Sequence, residues 1–270
     1  MMSRRLAVLM TAYNAEKTIG KAIESLKRDT EPFDLLIVDD CSRLPVAEVI
    51  GAGDPGIEII RPPRNLGVAG AKNFGLRHLL AGNYAFVAMM DADDICIPGR
   101  LAKQAAFLSQ NPDVALVGTW ARYIDENTRQ VVYHFRPPCN AAEIRDALFL
   151  NNCIVHPTWM VRTDALRSSG LYSSEYPAAE DYELLRRMSE HFRFANLPEF
   201  LLDYTISMSG VSMRRRRRQL FDRLRIQAKY FDPWRPNEWV GMLRTVALFA
   251  LPRKLVAVYR NEIGLRFRHP

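Results

Sequence analysis

Tyr84-Ala85-Phe86-Val87-Ala88-Met89-Met90 runs without a charge into Asp91-Ala92-Asp93-Asp94. The apolar run has the length and composition of a strand buried on both faces. Three carboxylates at its carboxyl end concentrate negative charge at the place where open α/β sheets bind ligands. Two readings follow. The cluster is a solvated acidic loop, or a hard divalent cation offsets its repulsion, and a cation held by one or two carboxylates typically also grips phosphate oxygens.

Upstream of this run, strand and helix signals alternate. Leu6–Met10, Leu35–Val38 and Ile57–Ile60 read as buried strands, the second ending in Asp39-Asp40. Asn14 is placed to cap a helix carrying Ala15, Ile19, Ala22, Ile23 and Leu26 at helical spacing. Ala69–Leu80 is helical by pattern, and a further helix is expected from Pro98 to Leu108, with proline near its first turn. Such alternation predicts an α/β fold, a mostly parallel central sheet with crossover helices. Further on, Val114–Gly118, Arg129–Phe135, Ile154–Val161 and Leu197–Tyr204 read as extended, and Ala141–Leu150 and Asp181–Glu190 as helical.

With 270 residues and 48% hydrophobic content, the chain is long enough to bury a full core. It contains no run near the roughly 18 to 20 apolar residues that span a bilayer. Leu6–Met10 is too short for a signal-peptide core, so a cytoplasmic protein is expected. The four cysteines, Cys41, Cys96, Cys139 and Cys153, have neither disulfide-motif nor zinc-like spacing and read as reduced thiols. The net charge of +7 is unevenly distributed: residues 211–270 hold 15 Lys/Arg against 4 Asp/Glu. A mildly acidic body, residues 1–212, is thus expected to carry a basic, amphipathic, helical extension, residues 213–270. Charge alone does not choose among nucleic acid, anionic membrane and phosphorylated ligands.

Five ordered motifs give these landmarks a family. They are Val8-Leu9-Met10-Thr11-Ala12-Tyr13-Asn14-Ala15-Glu16, Ile37-Val38-Asp39-Asp40-Cys41-Ser42, Asn65-Leu66-Gly67-Val68-Ala69-Gly70-Ala71-Lys72-Asn73, Asp91-Ala92-Asp93-Asp94 and Glu180-Asp181-Tyr182-Glu183-Leu184. Together they resemble the inverting family-2 (GT2) glycosyltransferases with the GT-A fold, over about residues 5–212. The resemblance implies a metal-dependent enzyme that moves a sugar from a nucleotide-sugar donor to a hydroxyl of a saccharide or lipid-linked saccharide. Thr11, Ala12 and Tyr13 would meet the base, Asp40 the base or ribose, and Asp91 the ribose. Lys72 stands where such enzymes often carry arginine and would reach the nucleotide, without arginine's bidentate fork. Asp93 would hold Mg²⁺ or Mn²⁺ against the diphosphate, with Asp94 assisting through water or orienting the loop. Asp181 would be the general base, with Glu180 as runner-up; the competing reading is that both merely complement a helix N-terminal dipole. Glu16 and His156 are second-tier candidates, and Trp159 is expected in the core or pocket wall. UDP is the expected nucleotide by family frequency.

Two stretches depart from the family. After the strand matching Leu197–Tyr204, relatives often carry a basic or histidine residue in a loop that closes on the diphosphate; Thr205–Ser212 has no charge. Arg214–Arg218 follows at once, as a candidate diphosphate contact or a solvated, anion-attracting face. Trp234, Trp239, Met242, Leu243, Val246, Leu248, Phe249 and Leu251 lie among Arg235, Arg244, Arg253 and Lys254. That mixture suits the inner face of a membrane, or two helices packed on the catalytic body.

Competing functions fit less well. A haloacid-dehalogenase-like phosphatase places its Asp pair after the first strand, and a nucleotidyltransferase has a Gly-rich basic loop that Thr11-Ala12-Tyr13-Asn14 lacks. A non-enzymatic anionic-membrane-binding protein on a degenerate GT-A scaffold leaves the acidic strand ends unexplained. No nucleic-acid-binding motif accompanies the arginines.

Overall fold

A computed structural model describes residues 6–51, 56–206 and 216–250. In chain order the elements are β1 (Leu6–Ala12), α1 (Ile19–Leu26), β2 (Asp34–Asp39), α2 (Val46–Ile50), β3 (Ile57–Ile60), α3 (Gly67–Ala81), β4 (Phe86–Asp91), β5 (Ile95–Cys96) and α4 (Arg100–Gln110). There follow β6 (Val114–Asp125), β7 (Val131–Phe135), α5 (Ala141–Leu150), a 3-10 turn (His156–Thr158), β8 (Met160–Arg162), α6 (Thr163–Ser169), α7 (Glu180–Met188), β9 (Arg193–Ile206), α8 (Arg216–Lys229) and α9 (Pro236–Ala250).

The strands form one sheet in the order β3-β2-β1-β4-β8-β6-β9-β5, with β7 paired to β6. Strands β3, β2, β1 and β4 are parallel, as are β6 and β9. Short β8 joins these two blocks through antiparallel pairings with β4 and β6. Side-chain alternation explains why the β1 and β4 runs read as continuously apolar. Ala7, Leu9, Val87 and Met89 feed one core with Leu76, Leu79, Trp159 and Leu184. Leu6, Val8, Met10, Ala88 and Met90 feed the other with Ile19, Ile23, Leu101 and Leu108. Because both faces are covered, neither can be polar.

The chain leaves β1 toward β2 on one side and returns as β4 on the other. That switch opens a crevice beyond the carboxyl ends of these strands, where ligands bind in such sheets. Register sets its walls: Thr11 lies opposite Asp91, and Ala12 opposite Asp39.

Several local expectations need correction. Asn14 does not cap α1; it takes a left-handed conformation (φ 52°), donates its N–H to Ser42 Oγ and accepts from Arg43 N at 2.9 Å, so it ties two loops together. The stretch Ile154–Val161 is only partly extended, since His156-Pro157-Thr158 tightens into a turn before β8. Short α2, α6 and β5 carried too little periodicity to be read. Residues 207–215 and 251–270, which hold all but Thr205 and Ile206 of the proposed lid stretch, together with Arg214, Arg215, the boundary at 212/213 and the end of the tail, lie outside the described residues. No helix among the described residues is long and apolar enough to cross a membrane. All four cysteines are free.

Candidate active site

At the β2 end, two neighbouring aspartates are held by backbone. Asp39 accepts from Ser42 N at 2.8 Å and Val46 N at 3.1 Å, and pairs with Arg61 at 2.7 Å. Burial works to raise its carboxyl, but these hydrogen bonds and the Arg61 charge together hold it below the ordinary value. Asp40 accepts from Leu66 N at 2.7 Å and Gly67 N at 2.9 Å, clamping the start of α3 against β2. Gly67 has φ +70°, a conformation that favours glycine. Burial raises the Asp40 carboxyl in spite of those two bonds. A carboxylate has about four lone-pair sites, so two amides do not exhaust Asp40 as an acceptor.

At the β1 end, Thr11 is half-buried and Ala12 buried, whereas Tyr13 projects outward with 59% of its surface exposed. Glu16 stands exposed in the turn before α1.

The acidic cluster after β4 is stapled to the end of β9. Asp94 accepts from Thr205 N at 2.8 Å, and the Asp93 carbonyl accepts from Thr205 Oγ1 at 2.6 Å. Asp94 is buried, and its second oxygen has no partner. Burial and the charges of Asp93 and Asp91 push its carboxyl well above the usual range. Asp93 is exposed between buried Ala92 and Asp94. Burial and neighbouring Asp91 push it up to about 6. Beneath the cluster lies buried Arg100, whose guanidinium donates to the Met89 carbonyl at 2.7 Å and to Gln104 at 3.1 Å.

Crowded oxygens, a raised carboxyl and an orphaned buried oxygen fit a hard cation. Among the described residues no group of three or more His, Cys, Asp or Glu is arranged to hold a metal by itself. A Mg²⁺-type ion needs no such set, because it is commonly bound through one or two carboxylates plus substrate phosphates.

On the opposite wall, α7 begins with Glu180 and Asp181. Asp181 is half-buried, accepting from Asn152 Nδ2 at 2.8 Å and Tyr182 N at 2.7 Å. Glu180 pairs with Lys72 Nζ at 3.7 Å. Burial raises both carboxyls, and the Lys72 charge opposes it. The charge of Asp91 reaches Glu180, so both walls share one electrostatic neighbourhood. Lys72 itself is only 5% exposed, with His156 Nδ1 at 3.4 Å. His156 Nε2 in turn lies 2.8 Å from the Tyr172 hydroxyl. Trp159 is fully buried and donates to the Ile154 carbonyl at 3.1 Å, so it is a core residue.

The crevice thus gathers Thr11, Ala12, Asp40, Asp91, Asp93 and Asp94 at neighbouring strand ends, with Lys72, His156, Glu180 and Asp181 on a second wall. Sequence reasoning missed Arg100, Asn152, Tyr172 and Thr205. None stands in a motif, and each is recruited by tertiary contact.

The tail helices dock on this wall. Tyr230 donates to Glu183 at 3.0 Å, and Arg186 meets Glu238 at 3.4 Å in a buried pair. Asp222 accepts from Ala178 N at 3.2 Å. Gly241 lies so close to the α5 end that a Cβ there would fall 2.0 Å from the Phe149 carbonyl oxygen. Of the arginine run, Arg216 donates to the Leu248 carbonyl and Arg218 to Asp222, both within the tail.

Comparison with known proteins agrees with this architecture. The chain is 31% identical over 220 residues to the amylovoran biosynthesis glycosyltransferase AmsE of Erwinia amylovora, covering 77% of this chain and 79% of that one. Its fold resembles Staphylococcus aureus TarS 1-349 solved with UDP-GlcNAc, at TM-score 0.67, 19% identity and coverage of 91% of this chain and 71% of that one. It also resembles the mannosyltransferase PcManGT of Pyrobaculum calidifontis, solved with GDP-Man and Mn²⁺, at TM-score 0.65, 17% identity and coverage of 92% and 70%. The fold is that of the GT-A glycosyltransferases. The model of the family described as "Glycosyl transferase family 2" matches residues 7–170, and the chain belongs to that family.

Proposed function

We propose that this glycosyltransferase inverts a sugar from a nucleotide-sugar donor, with UDP as the nucleotide, onto a hydroxyl of a saccharide or lipid-linked saccharide during polysaccharide assembly. The observation that carries this reading is the pair of acidic walls facing one crevice at the β1/β4 switch. One wall is crowded enough to want a cation, and the other offers a carboxylate held by Asn152.

On this reading Thr11, Ala12 and exposed Tyr13 receive the base, Asp40 stands at the base or ribose, and Asp91 accepts from the ribose. Asp93 would hold Mg²⁺ or Mn²⁺, with Asp94 fixing the loop to Thr205. When bound, the ion would supply Lewis-acid neutralisation of the departing nucleoside diphosphate. Asp181 takes the proton of the acceptor hydroxyl as that oxygen bonds to the anomeric carbon. The carbon–oxygen bond to the phosphate breaks, and its electron pair leaves with the nucleoside diphosphate. Because burial raises its carboxyl, Asp181 is a stronger base than an exposed aspartate.

The basic extension suits an anionic membrane surface where a lipid-linked acceptor resides. Helix α9 supports this by its inverted orientation: it buries Glu238, Gly241 and Thr245 and exposes Trp239, Val240, Leu243, Val246 and Phe249.

The test is release of nucleoside diphosphate from a panel of nucleotide-sugars with Mn²⁺ and saccharide acceptors. Asp181→Asn is expected to lower transfer by about 100-fold or more, in line with loss of a general base, with UDP–Mn²⁺ binding retained. Near-normal turnover would remove Asp181 from this role.

A further inference from the structure

Lys72 stands in a motif whose resemblance sends it to the nucleotide, yet its ammonium is buried against α7 and the 3-10 turn. Its partners are Glu180 Oε1 at 3.7 Å and His156 Nδ1 at 3.4 Å, and the Tyr172 ring centroid lies 5.6 Å away. An ammonium only donates, so His156 Nδ1 accepts and the imidazole proton sits on Nε2. Burial and the Lys72 charge hold the imidazole well below its ordinary value, which keeps it neutral. The Nε2–H then donates to the Tyr172 oxygen at 2.8 Å. With its oxygen occupied, Tyr172 has its own O–H proton left to give. Burial and the charges of Asp181, Glu180 and Asp91 hold that proton on.

Resting on the reading of Asp181 as acceptor base, we propose that Lys72 is a positioning residue. Steadied by His156 and Tyr172, it is the buried counter-ion that keeps the Glu180–Asp181 pair ionised rather than a ligand of the donor.

Two observations favour this over donor binding. The ammonium is enclosed, whereas a nucleotide ligand such as Tyr13 projects into open space. A buried and a half-buried carboxylate at one helix start also need a nearby cation, and Lys72, 3.7 Å from Glu180, is the cation whose charge opposes burial at both. The groups acting on the pair are Lys72 from α3, Asn152 from the loop after α5, Tyr172 from the loop after α6 and Asp91 from β4, with His156 behind Lys72. Lys72 alone among these brings positive charge.

The experiment compares wild type, Lys72→Met, Lys72→Arg, His156→Gln and Tyr172→Phe by three readouts. These are UDP–Mn²⁺ affinity by calorimetry, the pH profile of kcat, and carboxyl ¹³C NMR titration of Asp- and Glu-labelled protein. Lys72→Met is expected to keep UDP–Mn²⁺ affinity within about twofold. It should lower kcat, and move both the acid limb and the Glu180/Asp181 titrations upward by about one pH unit or more, the usual effect of losing a neighbouring opposite charge. Lys72→Arg should restore the limb, and the His156 and Tyr172 variants should shift it partway. If Lys72→Met leaves Glu180 too poorly compensated to fold, the Lys72→Met/Glu180→Gln double variant should fold and still show a raised Asp181 titration. Loss of UDP–Mn²⁺ affinity with the titrations unmoved would make Lys72 a donor ligand and overturn the proposal. The NMR titration needs no turnover, so a wild type that transfers no sugar counts against Asp181 as acceptor base, while unmoved titrations count against Lys72 as counter-ion.

Discussion

At the residue scale, the behaviour of the site is governed by carboxylates that cannot all be charged at once. Asp93 lies at about 6 in the fold against an ordinary 3.8, so the folded state binds its proton more tightly than the unfolded chain does. Its contribution to stability is therefore fully present below the ordinary value and is lost as pH rises through about 6. Above that point the cluster is repulsive unless a cation neutralises it. Mn²⁺ is accordingly expected to raise the melting temperature more at pH 7.5 than at pH 5.0, as read by thermal shift. Asp93→Asn should abolish the Mn²⁺ response and flatten the pH dependence. An equal Mn²⁺ shift in the variant would move the cation away from Asp93. Asp39 behaves in the opposite sense: backbone donors and Arg61 lower its carboxyl, which suits a structural anchor.

At the element scale, two helices depart from what their composition suggests. Helix α7 opens with Glu180, Asp181 and Glu183 in its first turn, where negative charge meets the helix dipole favourably. That role and the proposed catalytic one are compatible, since Asp181 still faces Asn152 and feels the Lys72 charge. Helix α9 turns its polar and small residues inward because α7 offers Arg186, and α5 offers the Phe149 carbonyl. Glu238 satisfies both Arg186 and Asp232 N, the latter at 2.7 Å. Removing one partner of a buried ion pair leaves the other uncompensated, so Glu238→Ala should cost about 3 kcal/mol in urea unfolding. A loss below about 0.5 kcal/mol, the range of exposed pairs, would mean that this contact does not hold the tail.

At the scale of the whole molecule, charge and apolar surface are segregated. The last sixty residues carry all of the excess positive charge, the rest of the chain being net negative, and the same region exposes Trp234, Trp239 and Leu243, the last with 66% of its surface accessible. A polybasic segment gains roughly 1 kcal/mol per charge near an anionic surface, and an apolar helix face adds area-dependent burial. The full chain is thus expected to sediment with phosphatidylglycerol-containing vesicles and not with neutral ones. High salt should weaken the association as the Debye length shrinks. Leu243→Glu/Val246→Glu should abolish it while leaving the inward contacts of Glu238 and Gly241 in place. If wild type stays in the supernatant with anionic vesicles, the exposed face of α9 serves something other than lipid.

How much of this was legible in the chain follows from the range of the interactions involved. The alternating α/β order, the strand read at Tyr84–Met90 and found at Phe86–Asp91, and the acidic terminus were readable because a doubly covered strand must be apolar throughout and its carboxyl end is a local feature. Motif order and spacing likewise carried the family. The partner of each charged group was not readable. Asp39 and Asp40 look alike as neighbours, yet one binds the loop before α2 and the other the start of α3. Lys72 meets His156 across 84 residues of sequence. The inward face of α9 was hidden for the same reason: its hydrophobic pattern describes the helix, while the polar groups on α5 and α7 decide which side is buried. Periodicity and composition act over a few residues and so determined the elements and the strand-end acids. The pairing of buried charges depends on which distant elements pack together, and only the tertiary structure decided that.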